Sequence, residues 1–126
     1  MTTLTEQNIA THCKDLGISR EKLIEFTIPS GVTTIQSNTF QKCSSLESII
    51  IPNSVTTIGE SAFAYCTSLK SIDMPMGVTS IARWTFLDCK ALTSVTIPNS
   101  VKSIQYAAFG ECRLSLIHIS EPTRPY

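Results

Sequence analysis

Cys43, Cys66, Cys89 and Cys112 recur at a constant interval of 23 residues, the first pattern in this sequence that could do chemistry. Two chemistries compete for it. Structural zinc gathers its thiolate or imidazole ligands tetrahedrally, usually from closely spaced pairs. Here no two cysteines are close in sequence, and neither His12 nor His118 belongs to the series. A disulfide needs two Cβ atoms turned towards each other, whereas side chains repeated at one position of successive coils run parallel. The column is therefore expected to behave as small buried apolar residues. Cys13, outside the series, is expected to be buried on an N-terminal helix.

Catalytic groups are no better placed. The chain has only two histidines, and no G-x-S-x-G, H-E-x-x-H, P-loop or G-x-G-x-x-G string occurs. A non-enzyme is expected, with no metal and no cofactor. Apolar residues make up 42% and charged residues 16% of the 126, which suits one ordered domain. Net charge is zero, so nothing recommends nucleic acid or an anionic membrane as a partner. No apolar run is long enough for membrane insertion. The start, MTTLTEQNIATHCKDLG, lacks a basic and then an apolar region. No signal peptide is visible, and the chain as it stands reads as cytoplasmic or as an incomplete gene model.

The elements that carry the cysteines share their interval. Stacked at 23 residues per row, the chain aligns Pro29, Pro52, Pro75 and Pro98, and Phe40, Phe63, Phe86 and Phe109. Leu23, Leu46, Leu69 and Leu92 form another column, followed by Phe26, Ile49, Ile72 and Val95, then Ile28, Ile51, Met74 and Ile97. After the proline come Val32, Val55, Val78 and Val101, then Ile35, Ile58, Ile81 and Ile104. Such columns mean one side chain per coil stacked on its neighbours, a solenoid in which no repeat buries its own apolar face. The L-x-x-I-x-I spacing predicts a strand with its last two apolar residues inward. Proline should end that strand and stand second in a β-turn, Ile51–Ser54, with type I favoured because Met76 would otherwise need positive φ. Val55 and Ile58 should face inward from a short second strand. The stretch ESAFAYC reads as one helical turn, with Ala62, Phe63 and Cys66 inward. The four phenylalanines are expected to form one buried stack.

Outward columns on the first strand then carry Glu25 with Thr27, Ser48 with Ile50, Ser71 with Asp73, and Ser94 with Thr96. This mostly hydroxyl-lined strip is a candidate partner-binding surface. On the opposite wall Trp84 stands in a column otherwise holding Asn38, Ser61 and Ala107, beside Arg83 and Tyr106. Aromatic residues and arginine are enriched at interface hot spots, so these three join the candidates. A tryptophan lying over a neighbouring coil is the alternative.

The row L-x-x-I-x-I-P-x-x-V-x-x-I-x-x-x-A/T-F-x-x-C, filled four times between Leu23 and Cys112, closely resembles the BspA-like leucine-rich repeat family. It departs from that family at Gln36 and Ala82, where only Gly59 keeps the usual glycine. The resemblance implies a β-rich repeat solenoid, a right-handed coil with a parallel strand ladder and short helical turns. It also implies a non-catalytic module that binds a protein or cell-surface ligand, often as an adhesin, at the cell surface or secreted. An intracellular regulatory or signalling scaffold of the same fold is the alternative, which the missing signal peptide favours.

The ends differ from the rows. Residues 1–22 should form a helical cap, with Thr5 as N-cap, Leu4 and Ile9 as a hydrophobic staple, Ile9, Cys13 and Leu16 on one face, and Gly17 as the stop. Residues 23–112 are the solenoid of four repeats. Residues 113–126 leave the register: Ser115 and His118 stand where apolar residues are due, and shortening by one residue would restore Leu114, Ile117 and Ile119 as a final strand. The stretch Leu114–Arg124 also resembles an in-frame translation of a transposon-type sequencing adaptor. That implies a fragment whose natural chain continues in further repeats, with no function to be read from the tail.

Overall fold

The computed structural model describes residues 2–113 and, for its backbone, the strand Leu116–Ile119; the rest, Leu114 included, lies outside the described residues. The chain winds as a β-solenoid whose coils have three walls. One strand wall holds β2 (Glu25–Thr27), β4 (Ser48–Ile50), β6 (Ser71–Asp73), β8 (Ser94–Ile97) and β10 (Leu116–Ile119). A second holds β1 (Thr3–Leu4), β3 (Thr34–Ile35), β5 (Thr57–Ile58), β7 (Ser80–Ile81) and β9 (Ser103–Ile104). All pairing is parallel. In β2–β4, β3–β5, β6–β8 and β7–β9 each residue faces its counterpart one row away, as Ile72 faces Val95. Ladder pairing joins neither β4 to β6 nor β5 to β7, so both strand walls are interrupted at the junction of the second and third coils.

The third wall is made of turns, and it departs from the expected helical turn. Ala62, Ala64 and Cys66 each donate an amide to the carbonyl three residues back, at 3.2–3.3 Å. Asn38, Ser61, Trp84 and Ala107 form one column at positive φ, and Lys42, Tyr65, Asp88 and Glu111 a second. Left-handed residues interrupt the helical path and free the intervening amides for the next coil. Phe63 donates to Thr85 at 2.9 Å and Tyr65 to Leu87 at 2.8 Å. A non-glycine residue there costs about 1–2 kcal/mol, so the inter-coil bonds and the core must hold it.

The proline turn also starts one residue later than expected. Val55 donates to the carbonyl of Pro52 at 3.1 Å, as Val32, Val78 and Val101 do to Pro29, Pro75 and Pro98, which puts proline first in the turn. The preceding residue still belongs to the ladder: Ile28 donates to Ile50, and Met74 to Thr96, each at 3.0 Å. A residue before proline is held extended, so the chain bends only after the ring. Met76 is not among the positive-φ residues.

Inside, Phe40, Phe63, Phe86 and Phe109 stack with centroids 5.1, 5.4 and 5.3 Å apart and planes within 7°. The first three are fully buried and Phe109 partly so. Thr39 and Thr85, buried before their rings, each satisfy the hydroxyl on a local carbonyl at 2.7 Å.

Helix α1 (Glu6–Leu16) closes the first coil. Thr5 and Asn8 form a reciprocal capping box, and Gly17 ends the helix at φ 73°. Ile9 and Cys13 are buried, as is Leu4, but Leu16, the last residue of the helix, is 57% exposed. The chain leaves the helix at Gly17, and Ile18 packs on the core in its place. Sequence patterning also missed β1, which extends the second wall by pairing Leu4 with Ile35. At the other end β10 pairs with β8, placing Ile117 beside Val95 and Ile119 beside Ile97. That register is one residue short of the interval, as the shortened row requires.

Candidate functional site

Alternation along β4, β6 and β8 turns Ile72 and Val95 into the core and their neighbours out. Ser48, Ser71 and Asp73 are exposed, Ile50 is 63% exposed, and Ser94 and Thr96 are half-buried on β8 between β6 and β10. Continuing this face towards α1 adds Glu25 and Thr27 of β2, both exposed. Charge on the face is one-sided. The acids Glu6, Glu47, Glu60 and Asp88 lie against Arg20, Lys70, Arg83 and Lys90. Glu25 and Asp73 have no such ion pair among the described residues.

A cleft of about 290 Å³ opens where α1 meets this face, lined by His12, Glu25, Phe26, Thr27, Ser48 and Ile50. The capping box fixes the start of α1 and so helps set where His12 falls. The His12 ring meets Phe26 edge-on at 5.0 Å, and Phe26 in turn lies 5.5 Å from Phe40. The floor of the cleft is thus tied to the aromatic stack. An aromatic floor, hydroxyl walls and a carboxylate rim are suited to holding a side chain.

Arg83, Trp84 and Tyr106 lie elsewhere, on the turn wall, so the structure divides the candidate residues between two surfaces. Trp84 occupies the left-handed column at φ 61°. The Arg83 guanidinium sits 4.9 Å over its ring and reaches Glu60 at 3.4 Å. Trp84 is half-buried and Tyr106 78% exposed.

The cysteines have a structural role that reading them as apolar overlooked. The thiols of Cys66, Cys89 and Cys112 donate to the carbonyls of Phe40, Phe63 and Phe86 in the preceding coil, at 3.2, 3.1 and 3.0 Å. Burial pushes the Cys43 thiol up from 9.0 to about 12 and raises Cys66 as well. Cys89 is raised by the neighbouring Cys112 sulfur and by burial. Among the described residues no three His, Cys, Asp or Glu side chains gather as a metal site.

His12 and Phe26 are the site residues that repeat analysis passed over. Phe26 is counted there as a core position, and only the docking of α1 turns it into a cleft floor. His12 lies outside the rows, where periodicity is silent.

Parallel ladders, 23-residue rows and a buried phenylalanine stack define a leucine-rich repeat solenoid, a fold that in general serves protein interaction without catalysis. Residues 18–124 match the model of the BspA type leucine rich repeat region in six copies, and the chain belongs to that family. A leucine rich cell surface protein of Faecalibacterium prausnitzii is similar at 35% identity and TM-score 0.60, over 78% of this chain and 32% of that one. The leucine-rich repeat protein of T. pallidum is similar at 34% identity and TM-score 0.74, over 77% and 46%. One from Bacteroides capillosus shares 27% identity at TM-score 0.71, over 79% of each chain. The chain thus spans about a third of the first relative and under half of the second. No curated protein matches it.

Proposed function

We propose that this chain is an adhesion-type module that holds a protein or cell-surface ligand on the outer face of β4, β6 and β8, with Ser48, Ile50, Ser71, Asp73, Ser94 and Thr96 in contact. The observation that carries this reading is chemical. The face offers hydroxyls, an exposed isoleucine and, in Asp73, a carboxylate with no ion pair among the described residues, while Glu47 and Glu60 of the preceding row lie against Lys70 and Arg83. The cell-surface description of the F. prausnitzii relative supports a location where adhesion would operate. Arg83, Trp84 and Tyr106 form a second, weaker candidate surface, because Arg83 already lies against Trp84 and Glu60.

Retention of protein-coated beads on fixed cells and on immobilised matrix proteins tests this. Ser48→Arg and Ser71→Arg should abolish retention, and Tyr106→Ala should leave it. Retention that survives both arginines but falls with Trp84→Ala would move the site to the turn wall. Beads that bind none of these surfaces would defeat the adhesion reading. The tail, Leu114–Arg124, is proposed as foreign to the natural chain on its resemblance to adaptor sequence. Contiguous genomic sequence past Cys112 tests that.

A further inference from the structure

We infer that the partner presents a basic, extended segment, with one lysine or arginine side chain entering the cleft between α1 and the first two coils. The inference rests on the strand face being the binding surface, and it adds the chemistry of what binds there. Among the described residues Glu25 supplies the one carboxylate at the cleft, Phe26 and Ile50 an apolar lining, Thr27 and Ser48 hydroxyls, and His12 an imidazole set edge-on against Phe26. This combination matches a long cationic side chain, whose methylene stem packs on apolar surface while its head seeks oxygen. An acidic side chain would meet the Glu25 carboxylate. A volume of about 290 Å³ is at the lower end of what small-molecule sites enclose, and it suits one side chain.

Asp73 provides the second point. It stands two coils from Glu25 and two residues further along the strand direction, since the column of Glu25 continues through Ser48 to Ser71. β4 and β6 are not ladder-paired, but their coils stack at that junction with the Phe63 and Phe86 rings 5.4 Å apart. At about 5 Å per coil and about 3.3 Å per residue, the Cα atoms of Glu25 and Asp73 lie about 12 Å apart. An extended chain covers that in about four residues, and side chains four apart in a strand share a face. The complementary segment therefore carries two basic residues at i and i+4, separated by β-formers. No lysine or arginine of the described face competes for these carboxylates.

The probe is a capped peptide, Thr-Lys-Val-Thr-Val-Lys-Thr, titrated into the labelled protein to about 5 mM while backbone amide resonances are followed. A counterpart with glutamate for lysine is titrated in parallel. The basic peptide should shift the amides of Glu25, Ser48, Ser71 and Asp73, and the acidic peptide should not. Glu25→Gln and Asp73→Asn should each weaken binding roughly two- to fivefold, and added salt should weaken it further. Glu60→Gln, on the turn wall, should leave it unchanged. Both test substitutions are exposed and near-isosteric, and the spectra report directly whether the fold is kept. An acidic peptide that binds equally well, or a Glu25→Gln/Asp73→Asn variant that binds unchanged, overturns the basic partner. Shifts still confined to the strand face would then leave the adhesion reading standing. If neither peptide shifts any resonance the inference falls, and bead retention decides the adhesion reading independently.

Discussion

At the junction of the second and third coils, the turn wall and the strand walls behave differently. On the turn wall Ser61, Phe63 and Tyr65 donate amides to Arg83, Thr85 and Leu87, the Phe63 and Phe86 rings stack, and Cys89 bonds back to Phe63. On the strand walls β4 and β6 lie side by side without ladder pairing, and β5 and β7 are likewise unpaired. One junction to either side, both strand walls pair. The coils at the middle junction are therefore held mainly by side-chain stacking and by turns in an unfavourable backbone conformation. The wall that looks irregular is the continuous one.

The largest test removes a ring. Phe63→Ala leaves a void between Phe40 and Phe86 and should lower stability by about 3–5 kcal/mol in chemical denaturation. Phe40→Ala removes the same side chain where β2–β4 and β3–β5 still pair, so its unfolding should remain the more cooperative of the two. Equal losses with equal denaturant slopes would break the comparison between walls.

Gly59 comes next. A Cβ there would lie 2.5 Å from the backbone nitrogen of Ser37 in the preceding coil, and that atom cannot rotate away. Gly59→Ala should cost about 1–3 kcal/mol as the coils are forced apart. At Gly77 the nearest atom is the Thr56 methyl at 3.1 Å, so Gly77→Ala should be milder. The order of the two denaturation midpoints checks this.

These contrasts show what the rows could and could not announce. Identity of side chain at each step made the phenylalanine stack, the short second strand and the capped helix legible, because each depends on type and spacing. Backbone sign did not repeat legibly. Of Asn38, Ser61, Trp84 and Ala107, only Asn38 belongs to the types that favour positive φ, so the column gave no common signal. The proline turn shifted because strand pairing runs up to the residue before the ring, a long-range effect. The outer strand face could be read from alternation alone. The cleft could not, since it arises where a non-repeating helix meets the first coil.

The thiols sharpen the comparison through pH. Cys43 has its pKa raised from 9.0 to about 12 by burial. An unfolded thiol therefore ionises from about pH 9 while the native one holds its proton. The unfolded state gains the advantage, and stability present below pH 9 is lost as pH rises towards 12. Denaturation midpoints at about pH 8 and about pH 10 should differ by less in a Cys43→Ala variant than in the parent. In the native protein at about pH 8, alkylation should spare Cys43, Cys66 and Cys89. Rapid native labelling of Cys66 would mean that the turn wall opens readily.

The smallest effect belongs to the outside of that wall. Arg83 lies over Trp84 and reaches Glu60, yet its side chain and that of Glu60 are each about half exposed, at 48% and 46%. Water screens such a pair, so Glu60→Gln should change stability by less than about 1 kcal/mol. Arg83→Ala removes the cation from the ring as well, which adds about 0.5–1 kcal/mol at an exposed site. If the turn wall is held from within, by rings, thiols and inter-coil amides, the two substitutions together should still fall well short of Phe63→Ala. A double variant that matched the ring deletion would put the strength of this wall on its surface, and the ordering of the walls would have to be redrawn around Trp84.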